Sequence, residues 1–318
     1  MAEKKRIDHP TGTETVGHEW DGIEELNTPL PRWWLWTLYA TIIFSIVYVI
    51  LYPAIPMLNS ATAGTLGWSS RGQLEAEMNV EAKRRAPIMT ALATTPIDQL
   101  SANENLMKAA VEGGRSAFKV HCVQCHGSGA AGSKGYPNLN DDDWLWGGDL
   151  KAIEYTIAHG IRNPVHDQTR TSQMPAFGRD QLLDAKTIAD VVSHVRVISG
   201  QEKASTSSQR GAVAFAANCA ICHGANGTGD RLVGAPNLAD AIWLYGGDRA
   251  SITQSVHESR QGVMPRWNER LDATTIKMLA AYVHSLGGGE ASPDKAGSTA
   301  AATTVVPAAT EAAAATAK

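Results

Sequence analysis

Cys122-Val123-Gln124-Cys125-His126 and Cys219-Ala220-Ile221-Cys222-His223 repeat one pattern, Cys-x-x-Cys-His, and between them use all 4 cysteines of the chain. Two thiols at this spacing add across the two vinyl groups of one haem while the adjoining imidazole reaches its iron. Zinc and dithiol-redox readings of Cys-x-x-Cys are weaker here. Zinc ribbons set their two pairs roughly 15–20 residues apart, whereas these lie 97 positions apart, each followed at once by histidine. The cofactors expected are two covalently bound haem c groups, attached through Cys122, Cys125, Cys219 and Cys222, with His126 and His223 as proximal iron ligands.

Outward from the two motifs the sequence repeats. Phe118 and Cys122 match Phe215 and Cys219 at an offset of 97. Pro137-Asn138-Leu139, Trp144 and Gly147-Gly148-Asp149 match Pro236-Asn237-Leu238, Trp243 and Gly246-Gly247-Asp248 at 99, and Met174-Pro175 matches Met264-Pro265 at 90. His194 pairs with His284 at 90, His159 with His257 at 98, and Arg162 with Arg260 at the same 98.

The sixth iron ligand decides the chemistry: an open position binds small molecules, whereas a thioether closes the iron and raises its potential for electron transfer. Methionine is commonly a gap filler in cores, but Met174 and Met264 fall at matching points of the repeat, which makes them the candidate sixth ligands. The histidine alternatives are His159 and His257. Pro137 and Pro236 suit a supporting task, a backbone carbonyl that accepts the ligand imidazole N–H and fixes its tautomer.

Each copy reads as a helical unit. A first helix covers about 109–120 or 208–218, a middle helix starts near Asp149 or Asp248, and a last one covers about 180–198 or 272–286. Ile188, Val191, Val192 and Val195, and likewise Ile276, Leu279, Ala280 and Val283, recur at helical spacing and mark core faces. Before them, a polar helical stretch near 73–85 is expected to end at the breakers Pro87 and Pro96.

From Trp33 to Leu51 the chain carries no charge for 19 residues, about 28 Å as a helix and close to the thickness of a bilayer core. Trp33, Trp34 and Trp36 mark its interface end. A cleaved signal peptide ending at Ala61-Thr62-Ala63 is the weaker reading, because the apolar run is too long and begins too late. Lys4, Lys5, Arg6 and Arg32 precede the helix and no Lys or Arg follows until Arg71, so the N-terminus is expected in the cytoplasm. The haem motifs then lie on the periplasmic side of a bacterial inner membrane. A formal net charge of −4 over 318 residues argues against nucleic acid as a partner.

The expected fold is all-α, with one N-terminal transmembrane helix followed by two tandem class I cytochrome c domains. Its parts are a cytoplasmic segment (1–30), a transmembrane anchor (31–56), a periplasmic spacer or docking segment (57–108), cytochrome c domains at 109–200 and 205–288, and a disordered Ala-rich tail (289–318).

With its lead His18-Glu19-Trp20-Asp21-Gly22-Ile23-Glu24-Glu25-Leu26-Asn27-Thr28-Pro29-Leu30-Pro31-Arg32-Trp33-Trp34, the stretches Gly160-Ile161-Arg162-Asn163 and Ser172-Gln173-Met174-Pro175-Ala176-Phe177-Gly178, and two haem motifs, the chain resembles the dihaem subunit III of cbb(3)-type cytochrome c oxidases over about residues 15–287. The resemblance implies a non-catalytic electron-transfer subunit, working with a monohaem cytochrome c subunit, a haem-copper catalytic subunit and a cytochrome c electron donor. It also implies Met174 and Met264 as sixth ligands, and leaves open whether each serves the haem of its own domain or of the other. The competing functions are a membrane-anchored dihaem enzyme of peroxidase or sulfur-compound dehydrogenase type, which needs an open iron position, and a free-standing anchored carrier.

Overall fold

The computed structural model describes residues 6–291. Lys4 and Lys5, and the Ala-rich tail beyond Ala291, lie outside the described residues. The chain divides into two compact units, Met1–Arg84 and Arg85–Lys318.

In the first unit the lead before the anchor is a β-hairpin. Strands β1 (Thr15–Trp20) and β2 (Ile23–Leu26) pair antiparallel, with Glu19 opposite Glu24 and Trp20 opposite Ile23. Asp21 and Gly22, both at positive φ (49° and 84°), form the connection, as a two-residue hairpin turn requires. Helix α1 (Arg32–Leu51) follows, its 18-residue window of mean hydropathy 2.0 making it long and apolar enough to cross a membrane. Its hydroxyls bond within the helix, Thr37 Oγ1 to the Trp33 carbonyl and Ser45 Oγ to that of Thr41. An apolar solvent demands this self-sufficiency of backbone and hydroxyl groups alike.

Helix α2 (Ser70–Thr94) continues past Pro87, correcting the break expected there. Pro87 costs one backbone hydrogen bond, but the Lys83 carbonyl it leaves belongs to an exposed residue, where water replaces the lost donor. Beyond Pro87 the helix is fixed by Leu92, 1% exposed in the core of the second unit. Lys277, itself buried, donates from Nζ to the carbonyls of Leu92 (2.7 Å), Ala93 (3.3 Å) and Thr95 (2.6 Å), satisfying the orphan acceptors of the helix end. Pro96 does terminate it, and opens the 3-10 turn Ile97–Ala102.

The second unit continues with α3 (Glu104–His121), α4 (Val123–His126), α5 (Leu150–His159), α6 (Ala185–Ile198), α7 (Thr206–Asn218), α8 (Ala220–His223), α9 (Arg249–Glu258) and α10 (Ala273–His284). All but the single turns α4 and α8 start at a side-chain cap: Asn103, Asp149, Asp184, Ser205, Asp248 and Asp272 each accept a backbone N–H of the first turn. Helix α3 thus begins earlier than apolar spacing indicated, and α6 later. The repeated Gly-Gly-Asp is a helix-start signal. Its Asp caps α5 or α9, while a Cβ on Gly148 or Gly247 would clash with the indole of Trp144 (2.2 Å) or Trp243 (2.6 Å).

Packing pairs the helices across the repeat. Helix α3 packs on α10, which also meets α5; α7 packs on α6, which also meets α9. Two apolar cores result. One joins Phe118, Ile153 and Ile157 to Ile276, Leu279 and Val283; the other joins Phe215, Ile252 and Val256 to Ile188, Val191 and Val195. The last helix of each copy therefore completes the core built around the other copy's haem motif. At the crossings, Gly114 approaches the backbone of Met278, and Gly211 that of Asp190. Phe118 meets Tyr282 in a tilted ring pair (centroids 5.3 Å apart), as Phe215 meets His194 (5.2 Å). His194 thus corresponds in space to Tyr282, not to His284, whose Nε2 instead meets the Glu290 carbonyl oxygen.

Candidate haem sites

Each Cys-x-x-Cys-His segment folds as a single helical turn closed by a glycine at positive φ, Gly127 (79°) or Gly224 (75°). The turn brings the three residues onto the end of α3 or α7. Cys122 and Cys219 face inward, and burial, then the neighbouring thiol, pushes both up to about 11; Cys125 is exposed and Cys222 half-buried. All four are unpaired.

His126 Nδ1 lies 3.2 Å from the Pro137 carbonyl oxygen and His223 Nδ1 3.0 Å from that of Pro236. A carbonyl only accepts, so Nδ1 carries the proton in both rings and the Nε2 lone pair is left for a metal. Burial lowers both imidazoles, with the carbonyl bond acting the other way. They are held neutral, the state a ligand needs.

Met174 does not sit with the haem motif of its own copy. It lines a cavity of ≈ 610 Å³ together with Cys219, Cys222, His223 and Pro236, a volume within the ~300–1,000 Å³ usual for cofactor sites. Its carbonyl oxygen accepts from the Ser259 hydroxyl after α9, and Phe177 N donates to the Val256 carbonyl (3.1 Å). Met264 is placed by the same logic. Ile161 and Met264 exchange backbone hydrogen bonds (2.9 and 3.0 Å) just after α5, Trp267 N donates to the Ile157 carbonyl, and Met264 packs on the core that also contacts Cys122 and Val123. Pro137, the partner of His126, also lines the cavity of His223, so the two sites share a wall.

The histidine alternatives are engaged elsewhere. His159 Nδ1 meets His166 Nε2 at 2.8 Å, and His257 Nδ1 meets Glu258 at 2.8 Å. One arginine missed by matching at 98, Arg170, also appears. Arg170 donates to Thr156 Oγ1 and the Ala152 carbonyl, and Arg260 to Ser255 Oγ and the Ser251 carbonyl. Arg170, not Arg162, is therefore the counterpart of Arg260, at the same offset of 90 as the methionines. The guanidinium of Arg170 lies over Trp146 (5.3 Å) and that of Arg260 over Tyr245 (4.8 Å).

Among the described residues no group of three or more His, Cys, Asp or Glu gathers to hold a bare metal ion. The residues do fit haem: an inward thiol and a second one beside it, one neutral imidazole with Nε2 free, a thioether on the same cavity and an apolar lining. Trp146 Nε1, buried without a partner beside Gly234, is a donor left for a bound group.

The sequence family described as cytochrome c oxidase, cbb3-type, subunit III matches residues 109–195 and 206–283, and the N-terminal domain of cytochrome oxidase-cbb3, FixP, matches 12–59. The Cbb3-type cytochrome c oxidase subunit CcoP of Cereibacter sphaeroides is 53% identical over 91% of this chain and all of its own length. The subunit FixP of Rhizobium meliloti is 52% identical over 91% and 100%, and that of Azorhizobium caulinodans 49% over 89% and 96%. The chain belongs to the CcoP/FixP family, subunit III of the cbb3-type cytochrome c oxidases. A CcoP/FixP subunit is a membrane-anchored cytochrome c with covalently bound haem c, and the two halves matched by the family are those whose last helices are exchanged.

Proposed function

We propose that this chain carries two haem c groups and passes electrons from a cytochrome c donor, with the monohaem subunit, toward the haem-copper catalytic subunit, without itself reducing oxygen. Haem c supplies reversible one-electron chemistry at its iron. Cys122 and Cys125 would hold one group, with His126 and Met264 as its iron ligands, and Cys219 and Cys222 would hold the other, with His223 and Met174. The observation that carries this reading is Met174 on the wall shared with Cys219, Cys222 and His223. A thioether there closes the sixth position and suits a carrier rather than a small-molecule enzyme.

The shared wall at Pro137 keeps the two sites adjacent, which is what stepwise electron passage within one subunit needs. Arg6 ahead of α1 and Arg32 at its first position, with no cation following until Arg71, support a cytoplasmic N-terminus and periplasmic haem sites. The hairpin ahead of α1, with Trp20 and Ile23 both 71% exposed, suits docking on another subunit.

The test is isolation of the tagged chain from membranes in mild detergent. Copurification of b-type haem, copper and cytochrome c-driven oxygen consumption is expected, with two c-type haems per chain. Carbon monoxide binding by the native ferrous c-type haems of the isolated chain would overturn the carrier reading.

A further inference from the structure

The cavity of Cys219 and His223 is lined by groups that act on anions, Arg162, Tyr245 and Arg260 on one side and Lys134 elsewhere on its wall. Arg260 is held by Ser251, Gln254 and Ser255, all neutral. Arg162 comes from the other copy of the repeat. Its Nε donates to the Gly262 carbonyl (2.6 Å) and its Nη1 to that of Ser172 (3.5 Å). Among the described residues no carboxylate forms an ion pair with either guanidinium. Asp141, Asp143 and Asp248 line the same cavity without pairing to either arginine, and Asp143 is pushed up to about 6 by burial and then by Asp240 and Asp141. A half-buried cation without a counter-charge is costly unless a bound anion completes it.

We propose that Arg162, with Arg260 and Tyr245, receives the carboxylate side chains of the porphyrin attached at Cys219 and Cys222, and that Arg162 raises the potential of that haem. This rests on the two-haem reading above. The two copies differ in sequence: Arg170 and Trp146 match Arg260 and Tyr245, but at the offset of 99 Arg162 is matched by Gln261, which carries no charge and lines this same cavity. An added positive charge in a partly dry site disfavours the more positive, oxidised iron. Burial lowers Arg162 from its ordinary value, with Tyr245 nearby acting the other way, yet guanidinium stays protonated at any working pH.

The experiment is a spectroelectrochemical titration of the full chain in detergent, following the c-type haem absorbance. Met174→His first identifies which of the two waves belongs to the haem at Cys219. Arg162→Gln, and Arg162→Met as a second variant keeping the stem's packing, are expected to lower that wave by about a tenfold change in the one-electron equilibrium, ~59 mV. Arg162→Lys, which keeps the charge, is expected to move it less. The other wave should stay. A wave unmoved in both neutral variants, or movement of the other wave alone, overturns the proposal. Covalent haem is counted separately by pyridine haemochrome on the denatured chain. A count other than two defeats the two-haem reading, whereas two haems with an unmoved wave defeat only the role of Arg162.

Discussion

Ser259, the residue that ends α9, donates its hydroxyl hydrogen to the carbonyl oxygen of Met174, 85 positions earlier and in the other copy of the repeat. The equivalent link on the other side is the backbone pair between Ile161 and Met264. Both bonds tie a methionine to the middle helix of the opposite copy. The exchange continues into the last helices, so each methionine and the helix after it travel together into the neighbouring core.

The exchange predicts which iron each methionine caps. In a chain whose first haem is removed by Cys122→Ser and Cys125→Ser, Met174→Leu should open the remaining ferrous iron to carbon monoxide, and Met264→Leu should not. The difference spectrum reads this directly. The reverse pattern would mean that each copy keeps its own methionine.

How much of this was legible in the residues depends on distance along the chain. Cys-x-x-Cys-His and its neighbouring Pro137 or Pro236 form local structures, so spacing identifies them. Met174 and Met264 stand out because the repeat places them, but a repeat offset is the same whichever core a methionine enters. Only the packing of α6 and α10 separates the two arrangements. Arg170 was hidden because the first copy is longer between Asp149 and Met174, which shifts the offset from 99 to 90. The hairpin had a signal, Asp21-Gly22 between Trp20 and Ile23, but Glu19, Glu24 and Glu25 around it leave little apolar alternation to mark the strands. Pro87 failed as a breaker because Leu92 and Lys277 fix the helix beyond it.

Lys277 is the residue on which that helix end depends. Lys277→Met keeps much of the buried stem but removes the donor to three carbonyls. Leaving such acceptors unmet costs ~1–3 kcal/mol each at most, so a loss of about 3 kcal/mol is expected after partial rescue by water. Urea unfolding followed by far-UV circular dichroism measures it. A midpoint unchanged from the parent chain would show that water already serves these carbonyls.

Asp190, on α6, accepts two hydrogen bonds from Arg210 on α7 (2.7 Å each) and one from Ser207 (2.5 Å). Arg210 first, then Ser207, holds its carboxyl below the usual carboxylate range. A carboxyl lowered in the folded state contributes stability above its unfolded value of ~3.9, and that contribution disappears as pH falls through the lower folded value. Stability should therefore drop on acidification below about pH 4 more steeply in the parent than in Asp190→Asn. Urea midpoints measured across that range decide it, and parallel curves would count against the Asp190–Arg210 contribution.

Gly113 and Gly114 are neighbours on α3, and the structure separates their tolerance to substitution. A Cβ on Gly114 would stand 1.9 Å from the Met278 carbonyl oxygen, backbone against backbone, and α10 has no rotamer with which to yield. On Gly113 it would meet Met278 Sδ at 2.4 Å, the flexible end of a side chain that moves aside at little cost. Alanine also gains ~0.5–1 kcal/mol over glycine inside a helix. Gly113→Ala is thus expected to be near neutral, while Gly114→Ala loses about 2–3 kcal/mol through overpacking. Gly211→Ala should behave like Gly114→Ala, since its Cβ would lie 1.9 Å from the Asp190 carbonyl oxygen at the matching crossing. Thermal melts of the three variants at equal haem content test this, and equal losses at 113 and 114 would mean that the α3–α10 crossing is looser than its backbone contact implies.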